Sequence, residues 1–286
     1  MLALSFGLTA ALLWAVHDIL ARKLSQGAPL LPLIAVVLGS GCVVLLPVAF
    51  LIGDWPAMTP YAWAAAGASG LAIALAIGGL YKAFSLAPVR LVSPIVGAYP
   101  LLTLIIAAAQ GRPISTADWL AVALIVAGIG IVAISTRDDA PDTYAAPPAV
   151  AIGWAVLAAV GFAATFALAQ EAARQGSDLP VMLVGRLVAL TAILCLVGIR
   201  SGPFRLARGL VWVVIAMGLL DALALGLVIA SGGLPKAEYA SISSSLFGVL
   251  TVLLATWFLK ERTRPVQWAG IATVFTGIAI LSLQGA

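Results

Sequence analysis

Apolar runs of about 20 residues recur along the whole chain, and they set the strictest limit on its fold. Ten runs are separated by glycine, proline or charged clusters: 4–21, 30–52, 60–84, 90–109, 118–135, 150–170, 180–199, 209–230, 237–258 and 266–284. A helix crosses the bilayer core with about 20 apolar residues. Only 9% of the 286 residues are charged, against roughly 25% in a soluble domain. The chain is therefore predicted to be an all-α membrane protein with ten transmembrane helices.

Short polar motifs predict where some of these helices begin. Thr59 before Pro60 fits an N-cap followed by proline at the first helical position. Ser115 with Asp118 fits a capping box. The first run, 4–21, has no preceding Lys or Arg and no A-x-A cleavage site, so we expect a retained helix and not a signal peptide.

Lys and Arg are distributed unevenly between the connections. Connections after odd-numbered spans hold eleven of the fifteen, and those after even-numbered spans hold three. Positive residues favour the cytoplasmic side, so the odd connections are expected inside and both termini in the periplasm. The net charge of +4 is explained by membrane orientation, and nucleic acid is not expected as a partner.

The two halves of the chain resemble each other. Residues 102–135 align with residues 250–283, and both stretches open on Leu-Thr. The alignment brings Trp119 near Trp268 and Gly128 near Gly277. Five spans in each half make two copies that cross the membrane in opposite directions. Such inverted repeats place a binding site near the midplane and work by alternating access.

The most polar and proline-rich stretch of the chain, residues 136–148, lies between these halves. It divides the ten spans into five and five. We therefore predict a first five-helix repeat over 1–135, a linker over 136–149 and a second five-helix repeat over 150–286, with a central cavity between the repeats.

Several short motifs accompany the repeat. They are Ala-Pro-Val before span 4 (87–89), Leu-Pro-Lys-Ala before span 9 (234–237), Lys-Glu-Arg (260–262), Gln267, Trp268 and Gly270. With the repeated halves, they resemble the drug/metabolite transporter superfamily, EamA type, over essentially the whole chain. Within it the sequence is most similar to bacterial YddG-like exporters of aromatic and related neutral amino acids. The resemblance implies a ten-helix basket in the bacterial inner membrane, with spans 1, 3, 4, 6, 8 and 9 around the cavity.

Span 4 contains residues that a lipid-facing helix does not tolerate. Pro94 and Pro100 each free a backbone carbonyl, at about 3 kcal/mol in a helix interior, which is tolerable at membrane depth only beside protein or water. Span 4 should therefore not face bulk lipid. Small residues of spans 4 and 9 are expected to meet across the cavity, through helix packing or around substrate: Ser93, Gly97, Pro100, Ala107, Ser241, Ser245, Gly248 and Ala255.

Candidate substrate-binding side chains are aromatic or polar residues on the spans expected to line the cavity. Rings there would stack on an aromatic substrate, although core packing also explains any single phenylalanine. The candidates are Trp14, His17, Asp18, Tyr81, Phe84, Ser93, Tyr99, Pro100, Phe166, Tyr239, Ser244, Ser245 and Phe247.

Ionisable residues inside spans are functional candidates because charge is costly to bury in lipid. His17 and Asp18 either meet a substrate amine or shuttle protons, or they face water near the end of span 1. Arg186 and Asp221 either bridge each other or bind the charged groups of the substrate. The charged loop that contains Glu261 is expected to be solvated and to orient the protein.

Two transport functions stay open at this point. One is export of neutral, especially aromatic, amino acids, and the other is proton-coupled export of drugs or other small metabolites. A remote third is an intramembrane serine hydrolase, because Gly67-Ala-Ser69-Gly70 spells G-x-S-G. We expect no enzyme activity, because the tetrapeptide has no partner residues nearby.

No cofactor or metal is expected. One histidine and two isolated cysteines make no ligand set, and the sequence contains no phosphate-binding or dinucleotide-binding motif. The expected partners are an amino-acid substrate and the lipid bilayer, with the protein acting as a monomer.

Overall fold

The computed structural model describes residues 2–99, 101–102, 105, 115–135, 146–199, 206–230, 244 and 246–284. Within these ranges the chain forms ten α-helices, a short 3₁₀ turn at Trp55–Ala57 and no strand. The helices are α1 (Leu2–Ser25), α2 (Leu30–Ile52), α3 (Pro60–Leu86), α4 (Val89–Gly97), α5 (Thr116–Ser135), α6 (Pro148–Arg174), α7 (Asp178–Ile199), α8 (Arg208–Ala230), α9 (Phe247–Phe258) and α10 (Pro265–Gln284). The prediction of an all-helical chain with ten helices is confirmed.

The helix-start motifs act as the sequence predicts. The hydroxyl of Thr59 accepts a hydrogen bond from the Ala62 N–H at 3.1 Å. Ser115 donates its backbone N–H to the Asp118 carboxylate at 2.8 Å, and the Asp118 N–H donates to the Ser115 hydroxyl at 3.1 Å. Each motif satisfies N–H groups that a helix N-terminus leaves unpaired.

Large apolar side chains cover the outside of the helical bundle. Leu51 is 83% exposed, Trp257 78% and Val43 72%. In the described part of the chain, α2, α3, α6, α7 and most of α8 are long and apolar enough to cross a membrane. An apolar surface of this extent matches lipid and not water, so the chain is a multi-pass membrane protein.

Contacts between the two halves occur in matched pairs. α3 packs on α6 and on α7, while α8 packs on α1 and on α2. α1 packs on α9, while α6 packs on α4. The second contact of each pair follows from the first when each helix is exchanged for the corresponding helix of the other half, such as α1 for α6 or α3 for α8. This is the pattern of two five-helix units related by a pseudo-twofold axis.

The same relation holds between individual backbone atoms. A methyl group on Gly70 would overlap the carbonyl oxygen of Gly185, and one on Gly218 would overlap that of Val37. Gly70 and Gly218 are 148 residues apart, and so are Val37 and Gly185. These close helix approaches therefore fix the register in which one half repeats the other.

α4 lies inside the bundle, as the prolines of span 4 predict. All nine of its residues are buried. It crosses α9 where the Phe275 ring contacts both helices, because Cβ atoms built on Gly97 and Gly248 would lie 3.7 and 2.9 Å from Cε1 of that ring. Phe275 of α10 therefore packs on small residues of both helices, and α4 meets α9 directly where a Cβ on Gly248 would lie 3.9 Å from the Ser93 carbonyl oxygen.

Other small residues assigned to the faces of spans 4 and 9 lie outside the described residues. They are Pro100, Ala107, Ser241 and Ser245.

Candidate functional site

A buried polar cluster joins α1, α3, α7 and α8 in the interior of the bundle. Its members are Trp14, His17, Asp18, Tyr81, Arg186 and Asp221. His17 is 7% exposed and Asp18 6% exposed. The alternative in which these two residues face water at the end of span 1 is therefore wrong.

His17 links a tyrosine to a carboxylate. Its Nδ1 lies 3.2 Å from the Asp18 carboxylate, and its Nε2 lies 3.1 Å from the Tyr81 hydroxyl. A neutral imidazole satisfies both contacts when Nδ1–H donates to Asp18 and Nε2 accepts the Tyr81 O–H. Asp18 and His17 are neighbours on α1, and Tyr81 reaches them from α3.

Arg186 and Asp221 bind each other, which confirms the bridging interpretation. The Nη2 group of Arg186 donates to one Asp221 oxygen. The other Asp221 oxygen accepts the Trp14 indole N–H at 3.0 Å. Gly41 of α2 makes room for the guanidinium, because a methyl group there would overlap Nη1. A side chain larger than hydrogen at Gly41 would thus displace the ion pair.

The cluster contains one carboxylate more than it has guanidinium groups. Arg186 is matched by Asp221, whereas the described ion-pair partner of Asp18 is the titratable His17. The Thr251 side chain of α9 also lies within hydrogen-bond reach of Asp18, and it is fully buried. With His17 neutral and both carboxylates ionised, the cluster would carry one net negative charge inside the membrane.

Two pairs of aromatic rings involve residues at the start of α9 and just after the end of α4. The Trp14 and Phe247 rings meet edge to face, with centroids 6.1 Å apart. The Tyr99 and Phe166 rings are tilted by 31°, with centroids 5.1 Å apart. Trp14 therefore belongs to an aromatic pair and to the polar cluster at once.

The remaining candidates are buried or lie outside the described residues. Phe84 is fully buried in the core, Ser93 is 2% exposed and Ser244 is 8% exposed. Pro100, Tyr239 and Ser245 fall outside the residues that the structure describes.

A charged contact at one end of the bundle is absent from the sequence predictions. The Glu261 carboxylate, 10% exposed, lies 3.6 Å from Arg22 Nε at the end of α1. It also accepts the backbone N–H groups of Val89 at 3.0 Å and Arg90 at 3.4 Å. The expectation that this loop is solvated is wrong for Glu261.

The sequence holds one signal for this contact. Pro88 occupies the N-cap of α4 and makes no side-chain capping bond, so the first N–H groups of α4 need an acceptor from elsewhere. A carboxylate at a helix N-terminus also interacts favourably with the helix dipole. The contact joins the two halves, since Glu261 belongs to the second and Arg22 and α4 to the first.

An apolar groove of about 390 Å³ lies elsewhere, between α2 and α8. Val36, Val43 and Ile215 are among its lining residues. Val43 is largely exposed, so the groove faces lipid. None of the candidate site residues lines it.

Comparisons with known proteins agree with this architecture. Residues 1–134 and 149–283 each match the model of the EamA-like transporter family. A solved crystal structure is similar with a TM-score of 0.64 at 21% identity, covering 99% of this chain and 96% of that one. This likeness concerns the fold alone. No curated protein matches the sequence.

Proposed function

The chain belongs to the EamA-like transporter family and is a membrane transporter, and we propose that it exports neutral, especially aromatic, amino acids by alternating access. Members of this family are transporters and not enzymes. The proposed location is the bacterial inner membrane, where the protein would act as a monomer.

The observation that carries this proposal is the buried polar cluster beside two aromatic pairs. Ionisable residues inside a membrane span are costly, and they mark substrate or ion pathways. The cluster offers an acidic group in Asp18, while Tyr99 and Phe166 offer aromatic faces. An amino acid with an aromatic side chain presents complementary groups, an ammonium and a flat ring.

The contacts at the two ends of the bundle support alternating access. At one end, Glu261 joins the second half to Arg22 and α4 of the first half. At the other end, the Thr59 hydroxyl donates to the Gln175 carbonyl at 3.0 Å. Both contacts join the halves, so a relative motion of the halves would break one set while it keeps the other.

The test is uptake of labelled amino acids by purified protein in liposomes. We expect phenylalanine and tryptophan to enter preloaded vesicles by counterflow faster than they enter protein-free vesicles. Equal rates in both kinds of vesicle for every neutral amino acid would contradict the proposed function.

A second candidate function is proton-coupled export of drugs or other small metabolites. The hydrogen-bonded His17, Asp18 and Tyr81 favour it, because a buried imidazole beside a carboxylate can take up a proton. The liposome assay is therefore run with and without a pH gradient. Accumulation of a drug cation against its gradient only when the pH gradient is present would favour this second function.

We also propose that both termini are periplasmic, from the excess of Lys and Arg in the odd connections. The test uses a variant without Cys42 and Cys195 and with one new cysteine in the 136–148 linker. We expect an impermeant thiol reagent to label that cysteine only after the cells are lysed. Labelling in intact cells would reverse the orientation.

A further inference from the structure

The charged groups of the polar cluster occur on one side of the pseudo-twofold axis only. Positions 148 residues apart are equivalent in α2 and α7 and in α3 and α8, as the paired glycine contacts establish, and the burial patterns of α1 and α6 match at the same offset. At the positions equivalent to His17, Asp18, Arg186 and Asp221, the chain has no ionisable side chain. Phe166 is equivalent to Asp18, Thr165 to His17, Leu38 to Arg186 and Ile73 to Asp221.

The aromatic residues, in contrast, are kept on both sides of the axis. Tyr99 and Phe247 are equivalent positions, at the α4–α9 crossing. Phe247 contacts Trp14 of the charged cluster, whereas Tyr99 contacts Phe166, which replaces the aspartate. One side of the axis is therefore acidic and aromatic, and the equivalent side is aromatic without charge.

Aromatic residues from both sides of the axis lie next to the same crossing of α4 and α9. Tyr99 follows Gly97 by two residues, and Phe247 directly precedes Gly248. Cβ atoms on both glycines would lie within 4 Å of the same Phe275 ring atom. Tyr99 and Phe247, which are equivalent by symmetry, thus lie next to one helix crossing.

Asp18 is the group on the charged side that lacks a fixed counter-charge. Asp221 is held by Arg186 and Trp14, whereas the described ion-pair partner of Asp18 is His17. An isolated carboxylate inside a membrane is costly, so it favours a cationic partner. A substrate ammonium supplies that charge when it enters.

We propose that the two sides of the pseudo-twofold axis bind opposite ends of the substrate: Asp18 binds its ammonium group, and Phe166 with Tyr99 binds its apolar, preferentially aromatic, side chain. This inference rests on the proposed function and assigns specificity to individual residues. It predicts that an ammonium is required, because the aromatic side has no charged group to offer.

The first experiment tests the aromatic side by the ratio of the counterflow rates of two substrates. Counterflow of phenylalanine and of alanine is measured in the same vesicles, so the ratio does not depend on how much protein is active. Phe166→Ala should lower the phenylalanine-to-alanine ratio about tenfold, since it removes a stacking face. Trp154→Ala on the same helix, at an exposed ring, should leave the ratio unchanged.

The second experiment tests the acidic side by binding of fragments to purified protein. The native protein should bind phenethylamine at least about tenfold more tightly than 3-phenylpropionate, because only the amine can pair with Asp18. Asp18→Asn should abolish that preference. Asp54→Asn, at an exposed carboxylate between α2 and α3, should retain it.

The outcomes separate this inference from the proposed function. Native protein that transports phenylalanine, together with an unchanged ratio in Phe166→Ala, would overturn the inference and leave the function standing. Equal binding of the two fragments by the native protein would also overturn it. Failure of the native protein to transport any amino acid would contradict the proposed function, and the inference would fall with it.

Discussion

Asp18 is a buried carboxylate and Asp221 a partly buried one, and they differ in what holds them. Asp221 accepts hydrogen bonds from Arg186 and from the Trp14 indole. Asp18 contacts His17, whose charge depends on protonation. Among the described contacts, a permanent cation is bound to Asp221 and none to Asp18, so we propose a structural role for the Arg186–Asp221 pair and a substrate-binding role for Asp18.

The structural role predicts a non-additive effect on stability. Arg186→Met leaves Asp221 as an uncompensated buried charge, and we expect a loss of about 3–5 kcal/mol in unfolding free energy. Arg186→Met combined with Asp221→Asn removes both charges and should be more stable than Arg186→Met alone. Thermal unfolding in detergent measures both variants.

The structural role would be contradicted if the losses of unfolding free energy in Arg186→Met and in Asp221→Asn simply added in the double variant. A loss in the double variant equal to the sum of the single losses would mean that Arg186 and Asp221 act independently. Gly41→Ala gives a further comparison, since its methyl group displaces the guanidinium and should destabilise the protein as well.

The interface between α5 and α10 contains a matched pair of close contacts, one from each half of the chain. A Cβ on Gly128 would lie 2.6 Å from the Gly270 carbonyl oxygen, and one on Gly277 would lie 2.7 Å from that of Ala121. The two contacts are reciprocal, since Gly128 and Gly277 are equivalent residues 149 positions apart. Close backbone approach through small residues is a common way to pack membrane helices.

This packing predicts which glycine of α5 tolerates a methyl group. Gly128→Ala should destabilise the protein by about 1–3 kcal/mol, because the added carbon forces two backbones apart. Gly130→Ala on the same helix is the control, because nothing lies within 4 Å of its Cβ position. Thermal unfolding of the two variants should differ. Equal melting temperatures would contradict the close packing of α5 on α10.

Glu261 accepts hydrogen bonds from the first N–H groups of α4, a helix that is distant from it in the sequence. We predict that Glu261→Ala exposes the interior at this end of the bundle, since Arg22 and the α4 N–H groups lose their shared partner. The measurement is labelling of a Ser93→Cys reporter in inside-out vesicles of a variant without Cys42 and Cys195.

The control for this experiment is another glutamate in a different setting. Glu171 pairs with Arg174 one turn away on α6, and both side chains are more than a third exposed. Glu171→Ala should leave the labelling rate of the reporter unchanged. If Glu261→Ala also leaves the labelling rate unchanged, the contact of Glu261 with Arg22 and α4 does not close that end of the bundle.

At the scale of the whole molecule, the sequence predicts the features that arise within single spans. Apolar length gives the ten helices, Thr59 and Ser115 give two starts, and the prolines give the burial of α4. The Arg186–Asp221 pairing is also predictable, because two isolated opposite charges in lipid must find each other. These inferences need no knowledge of three-dimensional contacts.

Features that join distant segments escape this reasoning. Glu261 sits among basic residues and reads as part of a solvated loop, yet it caps α4 from about 170 residues away. The contrast between Asp18 and Phe166 becomes visible only when the packing fixes the register of the repeat. Neither feature has a local pattern, because both depend on which helices meet.

We propose that the two halves move against each other while substrate crosses between them. The most direct test replaces Arg22 and Glu261 by cysteine in a variant without Cys42 and Cys195, and joins them with a cleavable thiol cross-linker. Single-cysteine variants treated in the same way are the controls. We predict that cross-linking stops phenylalanine counterflow and that cleavage of the linker restores it. Undiminished counterflow by the cross-linked protein would contradict the account.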